Sequence, residues 1–154
     1  MKVHLSRWVC QDVESNLRRF SVESRRAVDG GAEIVVFPEL FLTGYTRSAD
    51  PEGLRERFAR VSADAPEALF VFGSISEERR NRMTVWAGGN EIARYDKVHL
   101  FRPNREHEFW QPGDRYVAFR WRGLTFGLVN CNDIRFPEQA RALALEARSD
   151  VLIV

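Results

Sequence analysis

Cysteine is scarce in this chain, with Cys10 and Cys131 the two thiols in 154 residues. They lie far apart, match no zinc-ligand spacing and are too few for the disulfide framework of a small secreted domain, so free thiols in a reducing compartment are expected. An excess of one charge is lacking as well, because 23 basic residues nearly cancel 22 acidic ones. That balance gives no electrostatic reason to expect nucleic acid, an anionic membrane or a highly charged substrate as partner. No apolar stretch approaches the length that spans a bilayer, and the opening MKVHLSRWVCQDVE has too short an apolar run for a signal peptide. The chain therefore reads as soluble and cytoplasmic. Repeats, low-complexity tracts and linker-like segments are missing, and of the three histidines His4 and His107 have no metal-like partners in sequence.

What is present suffices for one core: at 44% hydrophobic content, residues 1–154 read as a single domain. Val3 to Val9 is β-like in composition, and Asp12 is a good N-cap for a helix in which Val13, Leu17, Phe20, Ala27 and Val28 recur near helical spacing. Gly30 and Gly31 supply its stop. Ile34 to Phe37 is a short continuous apolar run, as in a strand buried on both faces. Pro38 breaks the ladder and leaves Glu39 at the strand's carboxyl end. Charged residues from Ser48 to Ala65 suggest a partly helical segment. Leu69 to Gly73, Arg82 to Trp86 and Glu91 to Tyr95 read as strands, the last two joined through Gly88, Gly89 and Asn90. Past a polar loop from Phe101 to Arg115, Tyr116 to Trp121 and Leu124 to Val129 form a second hairpin around Arg122 and Gly123 that leads to Cys131. A helix from about Pro137 is expected to bury Ala140, Leu143, Ala144 and Ala147, before Val151 to Val154 starts another strand. The class is α/β, a mixed sheet flanked by helices.

Glu39, Lys97 and Cys131 stand out because each follows or occupies a strand-like segment, where α/β sheets place their sites. A thiol nucleophile needs a base, a nearby cation and an electrophilic group for the oxyanion, and these residue types fill those roles without histidine. Spacing alone does not single them out. Taken separately, Cys131 reads as a small core residue, Lys97 as an edge-strand lysine and Glu39 as a turn residue. Cys10 reads as packing. His99, two residues beyond Lys97, leaves a Cys-His pairing as a lesser alternative.

The windows VVFPELFLTGY (35–45), RYDKVHLF (94–101) and GLVNCNDIRFPEQAR (127–141) change that weighting. In this order they resemble the three signature blocks of the nitrilase superfamily of carbon-nitrogen hydrolases, and the GAEIVVFPE lead-in and FWQPGD (109–114) extend the likeness through essentially the whole chain. The resemblance implies Glu39 as general base, Lys97 as the transition-state lysine, Cys131 as nucleophile and the backbone N-H of Asn132 as a second oxyanion donor. Glu106 matches a second glutamate that holds the lysine, with Glu108 as the competing choice. Tyr45 and Arg135 are possible substrate contacts, and the loop from Arg47 to Gly53 is a possible pocket wall. The implied activity is hydrolysis of a small amide through a cysteine thioester, without metal or organic cofactor. The alternatives are an N-carbamoyl amino acid amidohydrolase and a catalytically silent fragment that acts by association. A redox thiol protein finds no support, for want of a resolving cysteine.

Two departures from the family pattern qualify the expectation. Asn130 stands where the family usually has an aliphatic, and a polar side chain buried there needs a partner. Asn132 and Asp133 resemble the amidase and carbamoylase branches and disfavour nitrile hydrolysis. The resemblance also implies an α-β-β-α sandwich longer than this chain. The expectation is therefore a domain truncated on its C-terminal side, its exposed sheet favouring a homo-oligomer or a complementing chain.

Overall fold

The structure, a computed structural model, describes residues 1–45 and 50–154. Its element order is β1 (Val3–Leu5), α1 (Val13–Asp29), β2 (Ile34–Phe37), α2 (Pro51–Ala63), β3 (Leu69–Glu77), β4 (Arg80–Ala87), β5 (Asn90–Asp96), β6 (Ala118–Trp121), β7 (Leu124–Leu128), α3 (Pro137–Leu145) and β8 (Val151–Ile153). The strands form two sheets, ordered β1-β2-β3-β4-β5 and β6-β7-β8. β1, β2 and β3 run parallel because α1 and α2 carry the crossovers, whereas β3, β4 and β5 are joined by tight hairpins and run antiparallel.

Side-chain alternation divides the core in two. Val35, Phe37, Phe70, Phe72 and Trp86 point to the helical side, where they meet Phe20 of α1 and Phe58 of α2. Ile34, Leu69, Val71, Met83 and Val85 point the other way and meet Phe119, Phe126, Leu128 and Ile153 of the second sheet. Both faces of β2 and β3 are thus covered, which is why their sequences are continuous apolar runs. Aromatic rings knit the helical layer: Phe20 sits edge-on to Phe37 at 5.2 Å, and Phe58 stacks on Phe72 at 4.3 Å. Truncating a ring such as Phe20 costs about 3 to 5 kcal/mol. On the outer face of the second sheet Leu143 of α3 packs over Gly127, where any Cβ would crowd it at 3.1 Å. The layers are therefore helix, sheet, sheet, helix, as the nitrilase resemblance implies.

The helix starts are legible. Asp12 caps α1 by accepting from the Ser15 N-H, and Asp50 caps α2 by accepting from Glu52 and Gly53, with Pro51 in the first turn. Several expectations need correction. β1 ends at Leu5, short of Val9, and β6 begins at Ala118. β3 continues past Gly73 to Glu77 and turns into β4 through Glu78 and Arg79, both left-handed, at φ 49° and 57°. Such a turn normally announces itself with Asn or Gly, and this one does not. α3 buries Leu143 and Gln139, while Ala144 is exposed because the helix lies on the surface with a narrow contact stripe, and Ala147, also exposed, falls past the helix end at Leu145. Cys10 is exposed too, its thiol taking a contact from the Asn16 amide at 3.3 Å. Among the described residues no helix is long and apolar enough to cross a membrane.

Candidate active site

Glu39 follows β2 directly, and three local features fix where it points. Gly73 lies in a β-bulge of β3 between Phe72 and Ile75, so close to Pro38 that a Cβ there would fall 1.7 Å from the Pro38 carbonyl oxygen. The same bulge presents the Ser74 hydroxyl, which accepts from the Leu40 N-H at 3.1 Å. Leu40 is left-handed at φ 49°, costing about 1 to 2 kcal/mol for a non-glycine residue. The chain turns sharply there, and the turn closes with the Gly44 N-H on the Leu40 carbonyl at 2.7 Å.

Lys97 comes one residue after β5, held by its backbone on both sides. Its N-H donates to the Asn81 carbonyl at 2.9 Å and its own carbonyl accepts from the Gly113 N-H at 2.8 Å. Gly113 belongs to the FWQPGD element and must be glycine here, because a Cβ would lie 2.1 Å from the Asp96 carbonyl oxygen. Cys131 follows β7 and opens a 3-10 turn from Cys131 to Arg135, itself left-handed at φ 50°. Asp133, fully buried, ties that turn down by accepting from the Asn130 N-H at 3.0 Å, the Tyr95 hydroxyl at 2.7 Å and the His99 N-H at 2.8 Å. Two uncommon backbone conformations thus sit beside Glu39 and at Cys131, a concentration of strain often found where side chains must be aimed.

These three elements bring the polar groups together. Lys97 Nζ lies 2.7 Å from Glu39 Oε1 and 3.0 Å from Glu106 Oε2, with Lys97 and Glu106 both inaccessible to solvent. Burial acts against the lysine's charge, but Glu39 and then Glu106 outweigh it, so its pKa lies above the ordinary value. Cys131 is exposed as a residue, yet neighbouring protein desolvates its thiol enough to push the pKa up to about 11. The charge of Glu39 and a hydrogen bond to it add to that rise, and Lys97 opposes it. The thiol therefore rests protonated, next to a carboxylate able to take its proton.

The structure also sorts the remaining candidates. Glu106 is the buried partner of Lys97, whereas Glu108 pairs with Arg105 at 2.8 Å. Tyr45 reaches the cluster, its hydroxyl 3.5 Å from Glu39 Oε2, and burial followed by the charges of Glu39 and Glu106 pushes its pKa up to about 12. Arg135 is exposed and lies over the Phe101 ring. Asn132 donates its side-chain amide to the His99 carbonyl at 3.0 Å. His99 has its Nδ1 engaged by Asp133 at 2.9 Å and its ring stacked on Phe136 at 3.7 Å, so it serves the turn and not a Cys-His pairing. Residues 47–49 of the loop from Arg47 to Gly53 lie outside the described residues, and Asp50 to Gly53 cap and begin α2.

Residue reasoning gave no role in the cluster to two of its members. Asn81, fully buried on β4, donates to Glu39 Oε1 at 2.7 Å, and Asn130 donates to Asn81 Oδ1 at 3.2 Å. Asn130 had announced itself as a polar residue in an aliphatic position. Nothing around Asn81 in the sequence marks it.

A four-layer sandwich with a buried ammonium, held by carboxylates and next to a thiol at the strand ends, is the architecture of a carbon-nitrogen hydrolase. The family model for carbon-nitrogen hydrolase matches residues 4–153, and the chain belongs to that family. It is 31% identical over 145 residues to the Escherichia coli (strain K12) omega-amidase YafV, covering 88% of this chain and 55% of that protein. It is 36% identical over 144 residues to a nitrilase of Pyrococcus abyssi, covering 83% and 53%. Among solved structures, the NitN amidase of Nesterenkonia sp. AN1 superposes with a TM-score of 0.86 at 26% identity, covering 99% of this chain and 65% of that one. The chain spans a little over half the length of the curated relatives it matches.

Proposed function

We propose that the chain carries the cysteine-bearing part of a hydrolase that cleaves the non-peptide C-N bond of a small amide through a thioester. The observation that carries this reading is the pairing of Lys97 with Glu39 at 2.7 Å beside a Cys131 thiol whose pKa near 11 makes a neighbouring base necessary. Glu39 accepts the thiol proton as sulfur attacks the carbonyl carbon, and the Lys97 ammonium with the Asn132 N-H stabilises the oxyanion. The C-N bond breaks, the amine leaves with the proton from Glu39, and the thioester remains. Water, deprotonated by the same carboxylate, releases the carboxylic acid and restores the thiol. Glu106 keeps Lys97 charged and aimed. In this reading Tyr45, half-exposed beside Glu39, contacts substrate, and the exposed Arg135 meets a substrate carboxylate at the rim.

Structures of the Nesterenkonia amidase variants support the reading. In them acrylamide and the acetamide moiety of fluoroacetamide are joined to the active site cysteine, and a cysteine-to-alanine variant is in complex with butyramide. A small aliphatic amide is the substrate class we favour, with N-carbamoyl amino acids the alternative. We read the chain as cytoplasmic, with no nucleic acid or membrane partner, and as one member of an assembly of like copies or with a complementing chain. Ile134 and Leu145, each more than half exposed at 55% and 62%, support the assembly. Light scattering after size exclusion tests it, and a monomer at all concentrations overturns it.

The functional test is ammonia release from small amides, N-carbamoyl amino acids and nitriles, comparing the chain with Cys131→Ala. Release from the parent alone, unaffected by chelators, is expected. An equally active variant overturns Cys131 as the nucleophile, and a folded parent that releases none overturns the reading and turns it toward a silent, associating fragment.

A further inference from the structure

Asn81 and Asn130 are buried amides that the cysteine hydrolase reading leaves unused, and their hydrogen bonds run in one direction. A carboxylate has no proton to give, so the Asn81 amide must face Glu39 Oε1 with its NH2 group, at 2.7 Å. Its Oδ1 then accepts from Asn130 Nδ2 at 3.2 Å. Asn130 is the residue immediately before Cys131, and its N-H is fixed on Asp133 Oδ2 at 3.0 Å. Asn81 also accepts the Lys97 N-H on its backbone carbonyl at 2.9 Å. One residue of β4 therefore touches the base with its side chain, the lysine with its backbone and the nucleophile's turn through one more amide.

Glu39 Oε1 receives two donors at 2.7 Å each, Lys97 Nζ and Asn81 Nδ2. A single donor would let the carboxyl plane rotate about that contact, and a second one fixes it. Among the described residues Oε2 is the less engaged oxygen, receiving the Tyr45 hydroxyl at 3.5 Å, the outer limit of a hydrogen bond. The titratable groups facing Glu39 are Lys97 after β5, Glu106 in the following 3-10 turn, Tyr45 after β2 and Cys131 after β7.

We propose that Asn81, oriented by Asn130, is a positioning residue that saturates Glu39 Oε1 together with Lys97 and thereby makes Oε2 the oxygen that accepts and returns the Cys131 proton. This rests on the amidase reading above. Asn81 touches neither substrate nor sulfur and acts through Glu39. Because its bond favours the charged carboxylate, losing it moves the protonation of Glu39 to higher pH.

The test follows ammonia release against pH for the parent, Asn81→Ala and Asn130→Leu, with the Glu39 carboxyl titrated by 13C NMR in chains labelled at glutamate and assigned through Glu39→Gln. For Asn81→Ala, kcat should fall about tenfold to a hundredfold with KM nearly unchanged, and the acid limb and the Glu39 titration should both move up by about one pH unit. Asn130→Leu, which leaves the contacts of Glu39 in place, should shift all three in the same direction by less. If Asn81→Ala proves unfolded by circular dichroism, Asn130→Leu decides by the same criteria. An acid limb and Glu39 titration coincident with the parent's overturn the proposal alone. A parent without Cys131-dependent ammonia release overturns the amidase reading and takes the proposal with it.

Discussion

The Tyr95 hydroxyl donates to Asp133 across 2.7 Å, joining the strand that ends before Lys97 to the turn that begins at Cys131. Tyr95 is the penultimate residue of β5 and fully buried, and Asp133 is equally inaccessible. The same hydroxyl accepts from Gln139 Nε2 at 3.0 Å and from the Val98 N-H at 3.2 Å. One phenol thus sets the distance between lysine and cysteine across the two sheets, and its pKa is raised by burial and then by the Asp133 charge, so it stays a donor.

Tyr95→Phe removes that donor and leaves the Gln139 amide and the Val98 N-H without it. Unfolding in urea should show a loss of about 1 to 3 kcal/mol. Cys131-dependent turnover should fall as well, since the turn is no longer tied to β5. A variant as stable as the parent would show that Asp133 finds its partners elsewhere.

Lys97→Met should be severe for a different reason, because it leaves Glu39 and Glu106 as like charges in a buried place. Breaking such a pair costs about 3 to 5 kcal/mol. In this variant both carboxyls bind protons more readily folded than unfolded, so stability should recover as pH falls from 7 toward 5. The parent shows the complementary limit. The Lys97 pKa is raised above its ordinary 10.5, so the stabilisation is whole below that pH and is lost as pH climbs through the raised value. Urea midpoints across pH check both slopes, and a Lys97→Met chain less stable at pH 5 than at pH 7 contradicts the argument.

Gly73→Ala tests how Glu39 is aimed. The new Cβ would fall 1.7 Å from the Pro38 carbonyl oxygen, backbone that cannot yield as a flexible side chain does. Overpacking usually costs about 1 to 3 kcal/mol, and this contact should reach or exceed the upper end. The expected result is a lower melting temperature and loss of turnover. A variant that melts with the parent would mean that the β3 bulge relaxes freely.

How much of this was visible in the sequence depends on whether a feature is local. Asp12 and Pro137 mark helix starts through a cap and a fixed φ, and Ile34 to Phe37 reads as a doubly buried strand from its own composition. The signature blocks placed Glu39, Lys97 and Cys131, and the FWQPGD element placed Glu106, all of which the structure brings together. The Glu78-Arg79 turn was invisible because charged residues adopt left-handed geometry there without the usual glycine or asparagine. Asn81, Tyr95 and Asp133 were missed as a set because their roles exist only across strands, at separations in sequence of 38 between Tyr95 and Asp133 and 42 between Asn81 and Glu39. No periodicity reports such a pairing. Asn130 could be flagged as needing a partner, but only the fold supplies Asn81.

The relation between Glu39 and Cys131 gives a prediction in which two readouts move in opposite directions. Burial, and then the charge of Glu39, push the thiol pKa up to about 11, so at pH 8 about one molecule in a thousand holds a thiolate. Alkylation of Cys131 by iodoacetamide, followed by peptide mass spectrometry with exposed Cys10 read separately, should rise about tenfold per pH unit and bend only near the thiol pKa. Glu39→Gln keeps the burial but removes the negative charge, so the thiol pKa should fall and alkylation at pH 8 should quicken. Amide turnover should be lost in the same variant, because the proton then has no carboxylate to receive it. Reactivity toward an alkylating agent and catalytic competence therefore separate. A Glu39→Gln chain that alkylates more slowly at pH 8 would show that the carboxylate does not raise the thiol pKa, and the need for a general base at Glu39 would lose its electrostatic ground.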